Sequence, residues 1–326
     1  MNCFVIGNGG WGTALGMVLS GNGHQVTLWG PFAEEIEAIR TAGENNVYLP
    51  GVELSETLTW TSDPADIKEA ELVVLVVPSR FVRSTLETFK PHLPETALLV
   101  SATKGLDEET HQRMSEVAAD VLGRDIAILS GPSHAEEVAR GVPTAVTVAG
   151  QRFQCLEKIQ AAFGGKTFRV YTSDDVVGVE LGGTLKNIIA VAAGILDGMG
   201  LGDNSKAALM TRGLAEISRL GAALGAKPET FSGLSGVGDL MVTCGSRHSR
   251  NRAVGERLGK GESLADIMGG MKQVAEGVWN AKAARDLAAE HGVDMPITEE
   301  VCAIVENGKD PRQALNDLMT RTPKAE

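Results

Sequence analysis

A single ammonium interrupts an otherwise apolar stretch. In ELGGTLKNIIAVAAGILDGMG, residues 180–200, the polar break is Lys186 with Asn187 beside it. A helix apolar almost all round is a buried helix. A lysine in its middle is costly unless it is paired or functional. The small residues around it argue for a lined cavity, and a snorkelling structural lysine is the plain alternative. A second cluster lies in GLSGVGDLMVTCGSRHSRNRAVG, residues 233–255, where glycines adjoin Asp239, Arg247, Arg250 and Arg252. From Ser246 to Lys260 five basic residues face one acid, Glu256, a local charge of +4 in a chain of net charge −12. Glycines, hydroxyls and guanidiniums together suit a phosphate monoester, which arginine grips bidentately. A loop of solvated charge reads alike. So does a second nucleotide loop, although no strand leads into this one. The third cluster is CFVIGNGGWGTAL, residues 3–15, with Gly7, Gly9 and Gly12 in a G-x-G-x-x-G pattern that also encloses Gly10 and Trp11.

The glycine pattern carries meaning only between a strand and a helix. Asn2–Ile6 reads as a buried parallel strand, and a helix starts near Thr13 with Ala14, Leu15, Val18 and Leu19 on one side. There the first glycine makes the tight turn, the second lets backbone approach a pyrophosphate, and the third lets helix pack on strand. The helix N-terminus adds unpaired N–H groups and partial positive charge. Taken alone, the pattern also describes a glycine-rich turn with no ligand. Its context continues with strands over 25–29, 72–77, 97–100 and 126–129, and helices over 33–41, 81–89 and 108–122. Strands alternating with helices of this length predict a parallel, doubly wound sheet with ligands beyond the carboxyl ends of its strands. VPSRF (77–81), SATKG (101–105) and SGPSHA (130–135) follow strand ends. Lys104 lies in the second of them and reads as either a site residue or a solvated lysine. From about Val179 strands give way to helices, one of them long and capped by Asp203 or Asn204. The sequence therefore predicts a Rossmann-type α/β domain over 1–178 and an all-α domain over 179–326.

Composition sets outer bounds. The 326 residues are too many for one ordinary core, and 43% of them are apolar, enough to bury two. No uninterrupted apolar run reaches the roughly 18 residues of a membrane span, and no signal peptide pattern opens the chain. The net charge of −12 disfavours nucleic acid and anionic membranes as partners. Cys3, Cys155, Cys244 and Cys302 are scattered without metal spacing and read as free thiols of a cytoplasmic protein. No metal is expected, and a homodimer is left open. The tail, 321–326, is polar and expected to fray.

The motifs GNGGWGTAL, YLPG (48–51), VPS (77–79), KGL (104–106), SGPSHA, ELGGTLKN, GLGDN, GLSGVGDLMVTC and SRNRAVG, with MPIT at 295–298, occur in this order along nearly the whole chain. Together they resemble the NAD(P)-dependent sn-glycerol-3-phosphate dehydrogenases of bacteria. The resemblance implies reversible hydride transfer between NAD(P)H and dihydroxyacetone phosphate, giving the glycerol phosphate of phospholipid synthesis. It implies that Lys186 protonates the alkoxide as the C2 carbonyl is reduced, and that Asp239 polarises or positions it. Lys104, Gly131, Ser133, Ser249, Arg250 and Asn251 would surround this small phosphorylated three-carbon substrate with Lys186 and Asp239. Arg250 would hold its phosphate while also nearing the cofactor. Gly7, Gly9, Gly10, Trp11 and Gly12 would cradle the dinucleotide. Phe32, Phe81, Lys104, Ala135, Val274 and Glu276 would line it, and Trp11 would shield its pyrophosphate from water or fill the wedge between domains.

One stretch departs from the family pattern. Many bacterial members carry a basic residue just after the second strand, suited to an NADP 2′-phosphate. Here LWGPFAEE (28–35) has Pro31 and Phe32, followed by Glu34 and Glu35, which favours NAD slightly. Three rival readings stand beside this one. A β-hydroxyacid or ketopantoate-type dehydrogenase also uses a helix-borne lysine but takes carboxylates, which the arginine-rich loop disfavours. A non-catalytic dinucleotide sensor would have no use for a buried lysine facing an anion site. A dehydrogenase built on His134 lacks an evident carboxylate to orient the ring.

Overall fold

The computed structural model describes every residue except 272–274 and 324–326, so Val274 and the end of the polar tail lie outside the described residues. In chain order the elements of the first half are β1 (Asn2–Ile6), α1 (Gly10–Gly21), β2 (Gln25–Trp29), α2 (Ala33–Ala42), β3 (Leu58–Thr61), β4 (Leu72–Leu75), α3 (Val82–Phe89), β5 (Leu98–Ser101), α4 (Met114–Leu122), β6 (Ala127–Ser130), α5 (Ala135–Ala139), β7 (Thr144–Ala149), α6 (Phe153–Phe163) and β8 (Phe168–Ser173). Helices follow: α7 (Val176–Gly198), α8 (Asp203–Ala223), α9 (Asp239–Gly245), α10 (Arg250–Gly259), α11 (Leu264–Gly269), α12 (Glu276–Glu290), α13 (Pro296–Asn307) and α14 (Pro311–Met319).

The eight strands form one sheet in the order β3-β2-β1-β4-β5-β6-β7-β8. Val5, Val74 and Val100 bury one face of it, and Phe4, Val73 and Ile128 the other. The order reverses between β1 and β4, so the loops leaving these two strands part and open a crevice. Strands β1 to β6 run parallel; β8 runs with β7 in the opposite direction, the reversal falling at β7, which pairs antiparallel with β6. Strands β3, β7 and β8 were not anticipated from the sequence. They are short or alternate buried with exposed positions, as in FRVYTS, and so lack the continuous apolar run of a central strand.

Two helix starts also differ from expectation. Helix α4 begins at Met114 rather than Glu108, because the Asp107 carboxylate accepts the Glu109 and Thr110 N–H groups and folds 107–112 into a turn. Gly202, not Asp203 or Asn204, is the N-cap of α8, and Asp203 occupies its first turn, where a carboxylate suits the helix dipole.

Helix α7 is the centre of the second half. Every residue from Gly178 to Leu196 is buried, with α8, α9, α10 and α12 packed around it. Among the described residues it alone is long and apolar enough to cross a membrane, and it is spent as a core helix. Its contact with α10 is backbone to backbone. A Cβ on Gly194 would run into the Arg252 carbonyl, and one on Gly255 into the Val191 carbonyl. The Glu180 carboxylate of α7 accepts the Ser115 N–H at 2.9 Å and the Arg113 guanidinium at 3.0 Å, tying α7 to the start of α4.

Candidate active site

A cavity of about 610 Å³ runs from the β1–α1 loop to α7 and α10. Its first end is built by the glycine loop. Gly7 has φ +129°, a conformation that L side chains rarely adopt, and a Cβ there would lie 2.7 Å from the Val76 carbonyl oxygen. Gly12 sits directly against the Gly7 carbonyl and leaves no room for a side chain. At Gly9, by contrast, no protein atom lies within 4 Å of where a Cβ would stand. A loop pressed shut at its first and third glycines and open at its second is the cradle that a pyrophosphate needs. The residues present therefore fit a dinucleotide. Gly10, Trp11, Phe32, Phe81 and Ala135 line the same cavity.

The other end holds a three-part charge cluster. The Asp239 carboxylate lies between two ammoniums, with Lys104 Nζ 2.6 Å from Oδ2 and Lys186 Nζ 2.9 Å from Oδ1. Lys186 also donates to Thr243 Oγ1 at 2.6 Å, and Lys104 donates to the Gly131 carbonyl at 3.1 Å. Asp239 opens α9 directly after a π-helical turn over Leu234–Gly238, a device that recurs at functional sites. Burial pushes the Lys186 pKa down to about 8, an effect that Lys104 reinforces and Asp239 opposes. Burial works against ionisation of Asp239 as well, but both lysines and their hydrogen bonds overcome it and hold the carboxyl below its usual range. The cluster thus carries one net positive charge beside the cavity.

Lys104, Ser133, Lys186, Ser249, Arg250, Asn251 and Glu276 all line this cavity. Gly131 and Asp239 stand behind its wall, and the Gly131 carbonyl also accepts from Ser133 Oγ at 2.9 Å. Arg250 opens α10 and is exposed to the cleft. The cleft walls still crowd its guanidinium, which lowers its pKa somewhat against the pull of Glu276 and leaves its charge intact. Asn251 has its amide committed, accepting the Gly277 N–H at 2.9 Å and donating to Asn187 Oδ1 at 2.9 Å. Its neighbour Ser249 caps α10.

Glu276 lines the cavity, yet its oxygens turn to the first domain. They accept from Ser79 N at 3.1 Å, Ser79 Oγ at 2.8 Å and Asn280 Nδ2 at 2.9 Å. Asn280 in turn accepts the Leu106 N–H at 2.6 Å, two residues beyond Lys104. This clasp and Thr243 escaped the sequence reading. Thr243 follows Asp239 by one helical turn, a spacing that could have revealed it, whereas the clasp joins positions 197 and 174 residues apart. Replacing Asn280 by alanine is expected to cost about 1–3 kcal/mol of stability, since it leaves the buried Leu106 N–H unsatisfied. Denaturant titration measures it, and a loss below half a kilocalorie would show that water restores the bond.

A more open depression of about 590 Å³ runs along β7, β8 and α6 and contains none of the candidate residues. Among the described residues no cluster of His, Cys, Asp or Glu could hold a metal.

Residues 2–156 match the model of the NAD-dependent glycerol-3-phosphate dehydrogenase N-terminus, and residues 175–316 match that of the C-terminus. The chain belongs to the NAD-dependent glycerol-3-phosphate dehydrogenase family. A glycerol-3-phosphate dehydrogenase [NAD(P)+] from Moorella thermoacetica is 52% identical, covering 97% of this chain and 95% of its own. One from Pelotomaculum thermopropionicum is 51% identical, covering 97% and 92%. The crystal structure of a glycerol-3-phosphate dehydrogenase from Coxiella burnetii superposes with a TM-score of 0.95 at 39% identity, over 98% of this chain and 99% of that one. This dehydrogenase is therefore an NAD(P)-dependent oxidoreductase with a Rossmann-type domain and a helical C-terminal domain.

Proposed function

We propose that Lys186 is the acid and base with which the dehydrogenase interconverts dihydroxyacetone phosphate and sn-glycerol 3-phosphate. The observation that carries this is one carboxylate, Asp239, shared by two ammoniums at the end of a dinucleotide-shaped cavity. NAD(P)H, when bound along the glycine loop, supplies the hydride. Lys186 gives its proton to the developing C2 alkoxide in reduction and takes it back in oxidation. Asp239, behind the cavity wall, orients both ammoniums and is a positioning residue. Lys104 lends a second positive charge to the substrate. Arg250 grips the phosphate with its fork, helped by the partial positive charge at the start of α10. Ser133, Ser249 and Asn251 border the same space, and Gly131 positions Lys104 and Ser133 from behind. Glu276 and Ala135 border the cofactor, and Phe32 offers a ring to its adenine.

On this reading residues 1–178 bind the dinucleotide and residues 179–326 carry substrate binding and catalysis. The product feeds phospholipid synthesis in the cytoplasm, where the four unbridged cysteines belong. A homodimer is compatible with it.

Mixing the enzyme with NADH or NADPH and following absorbance tests the reading. Dihydroxyacetone phosphate should be consumed, and ketopantoate and short 2-keto acids should not. The reverse selectivity would replace the phosphate reading with a carboxylate one. The pH profile tests Lys186 separately. Reduction needs the ammonium, so kcat/KM for dihydroxyacetone phosphate should fall as pH rises through about 8. Oxidation of glycerol 3-phosphate needs the free amine and should rise through the same pH. Profiles flat from pH 7 to 9 would take the proton away from Lys186.

A further inference from the structure

We propose that Glu35, aimed by Asn8, makes this chain favour NAD over NADP by accepting hydrogen bonds from the adenosine ribose hydroxyls and repelling a 2′-phosphate. The inference rests on the dinucleotide reading of the cavity.

In dinucleotide folds a carboxylate that holds the ribose comes from near the end of the second strand. Here β2 ends at Trp29, and Gly30, Pro31 and Phe32 follow without a carboxylate. The acid is displaced to the first turn of α2, where Glu34 and Glu35 lie side by side. The structure separates the two. Glu35 is half-buried and lines the cavity, whereas Glu34 is exposed and does not.

Asn8, between the first two glycines, turns Glu35 inward. Its Nδ2 donates to Glu35 Oε2 at 3.3 Å, and among the described residues no donor meets Oε1. Asn8 is itself fixed. Its carbonyl accepts Asn45 Nδ2 at 2.8 Å, and its side chain lies so close to Gly30 that a Cβ there would stand 2.6 Å from Asn8 Cγ. The glycine after β2 thus makes room for the residue that orients the acid.

Among the described residues no cation offsets that carboxylate. Among the described cavity-lining residues the lysines and arginines are Lys104, Lys186 and Arg250, all at the substrate end. Arg40, further along α2, is exposed, pairs with Glu37 at 3.5 Å and does not line the cavity. Burial, and after it the charge of Glu35, push the Tyr48 phenol pKa up.

The test measures Kd for NAD+ and NADP+ by calorimetry and kcat/KM for NADH and NADPH at fixed ionic strength. It uses the wild type, Glu35→Gln and Glu34→Gln. Glu35→Gln should move both NAD/NADP ratios towards NADP by about tenfold, as expected for removing a poorly screened charge near a phosphate dianion. Glu34→Gln should move them less than threefold. A ratio change below threefold in Glu35→Gln, or an equal change in Glu34→Gln, would overturn the inference. A wild-type preference of tenfold or more for NADPH would overturn it as well, since the proposal has this chain favour NAD. Thermal melts of the variants confirm folding, and Glu35→Leu repeats the charge loss with different packing.

Discussion

Lys186→Ala is expected to lower kcat by ~10²–10⁴-fold while NADH still binds with near wild-type affinity, the range typical of a lost general acid–base group. The surroundings make this variant interpretable. Asp239 keeps its 2.6 Å pair with Lys104 when Lys186 is gone, so the buried carboxylate is not stranded. The fold should survive, which circular dichroism and cofactor fluorescence would verify. Lys186→Arg restores the charge but not the titration near neutral pH, and should remain nearly as slow. A Lys186→Ala enzyme that retains more than half of the wild-type kcat would remove this residue from the chemistry.

Arg250→Ala is expected to raise KM for dihydroxyacetone phosphate roughly ten- to a hundredfold, the equivalent of about 1.5–3 kcal/mol for a charge-assisted grip. The side chain is exposed to the cleft, so truncation removes a contact without opening the core. Arg250→Lys should recover part of the loss, because a point charge replaces a fork. Titrating inorganic phosphate as a competitive inhibitor gives an independent reading, since its affinity should fall in parallel. Equal KM values for wild type and Arg250→Ala would place the phosphate elsewhere.

Much of this site was legible because its signals are local. The glycine loop announces itself within six residues, and Lys186 stands out against the apolar helix that carries it. The basic loop offers Arg247, Arg250 and Arg252 alike by composition, and only the family resemblance singles out Arg250. What stayed hidden depends on partners far away in sequence. Nothing near Asn280 says that its oxygen will meet the Leu106 N–H, and nothing near Asn8 says that it will turn Glu35 into a cavity. The reversed strand β7 was missed for a related reason. TAVTVA alternates and is only partly buried, and strand direction is set by pairing with β6 rather than by any property of the six residues.

The seam between α7 and α10 has a consequence for selectivity. Lys186 rides on α7 and Arg250 on α10, and the glycines at 194, 198, 255 and 259 let these helices meet backbone against backbone. Flexible side chains between two helices would let them slide; direct main-chain contact does not. With the roles proposed for Lys186 and Arg250, the pair would act as a fixed gauge. A molecule whose phosphate and reactive carbon are separated by the wrong number of bonds cannot be reached at both points at once. Under those roles chain length would be measured by the rigidity of the helix pair, and one methyl group at Gly255, driven into the Val191 carbonyl, should force the helices apart and cost stability along with that measurement.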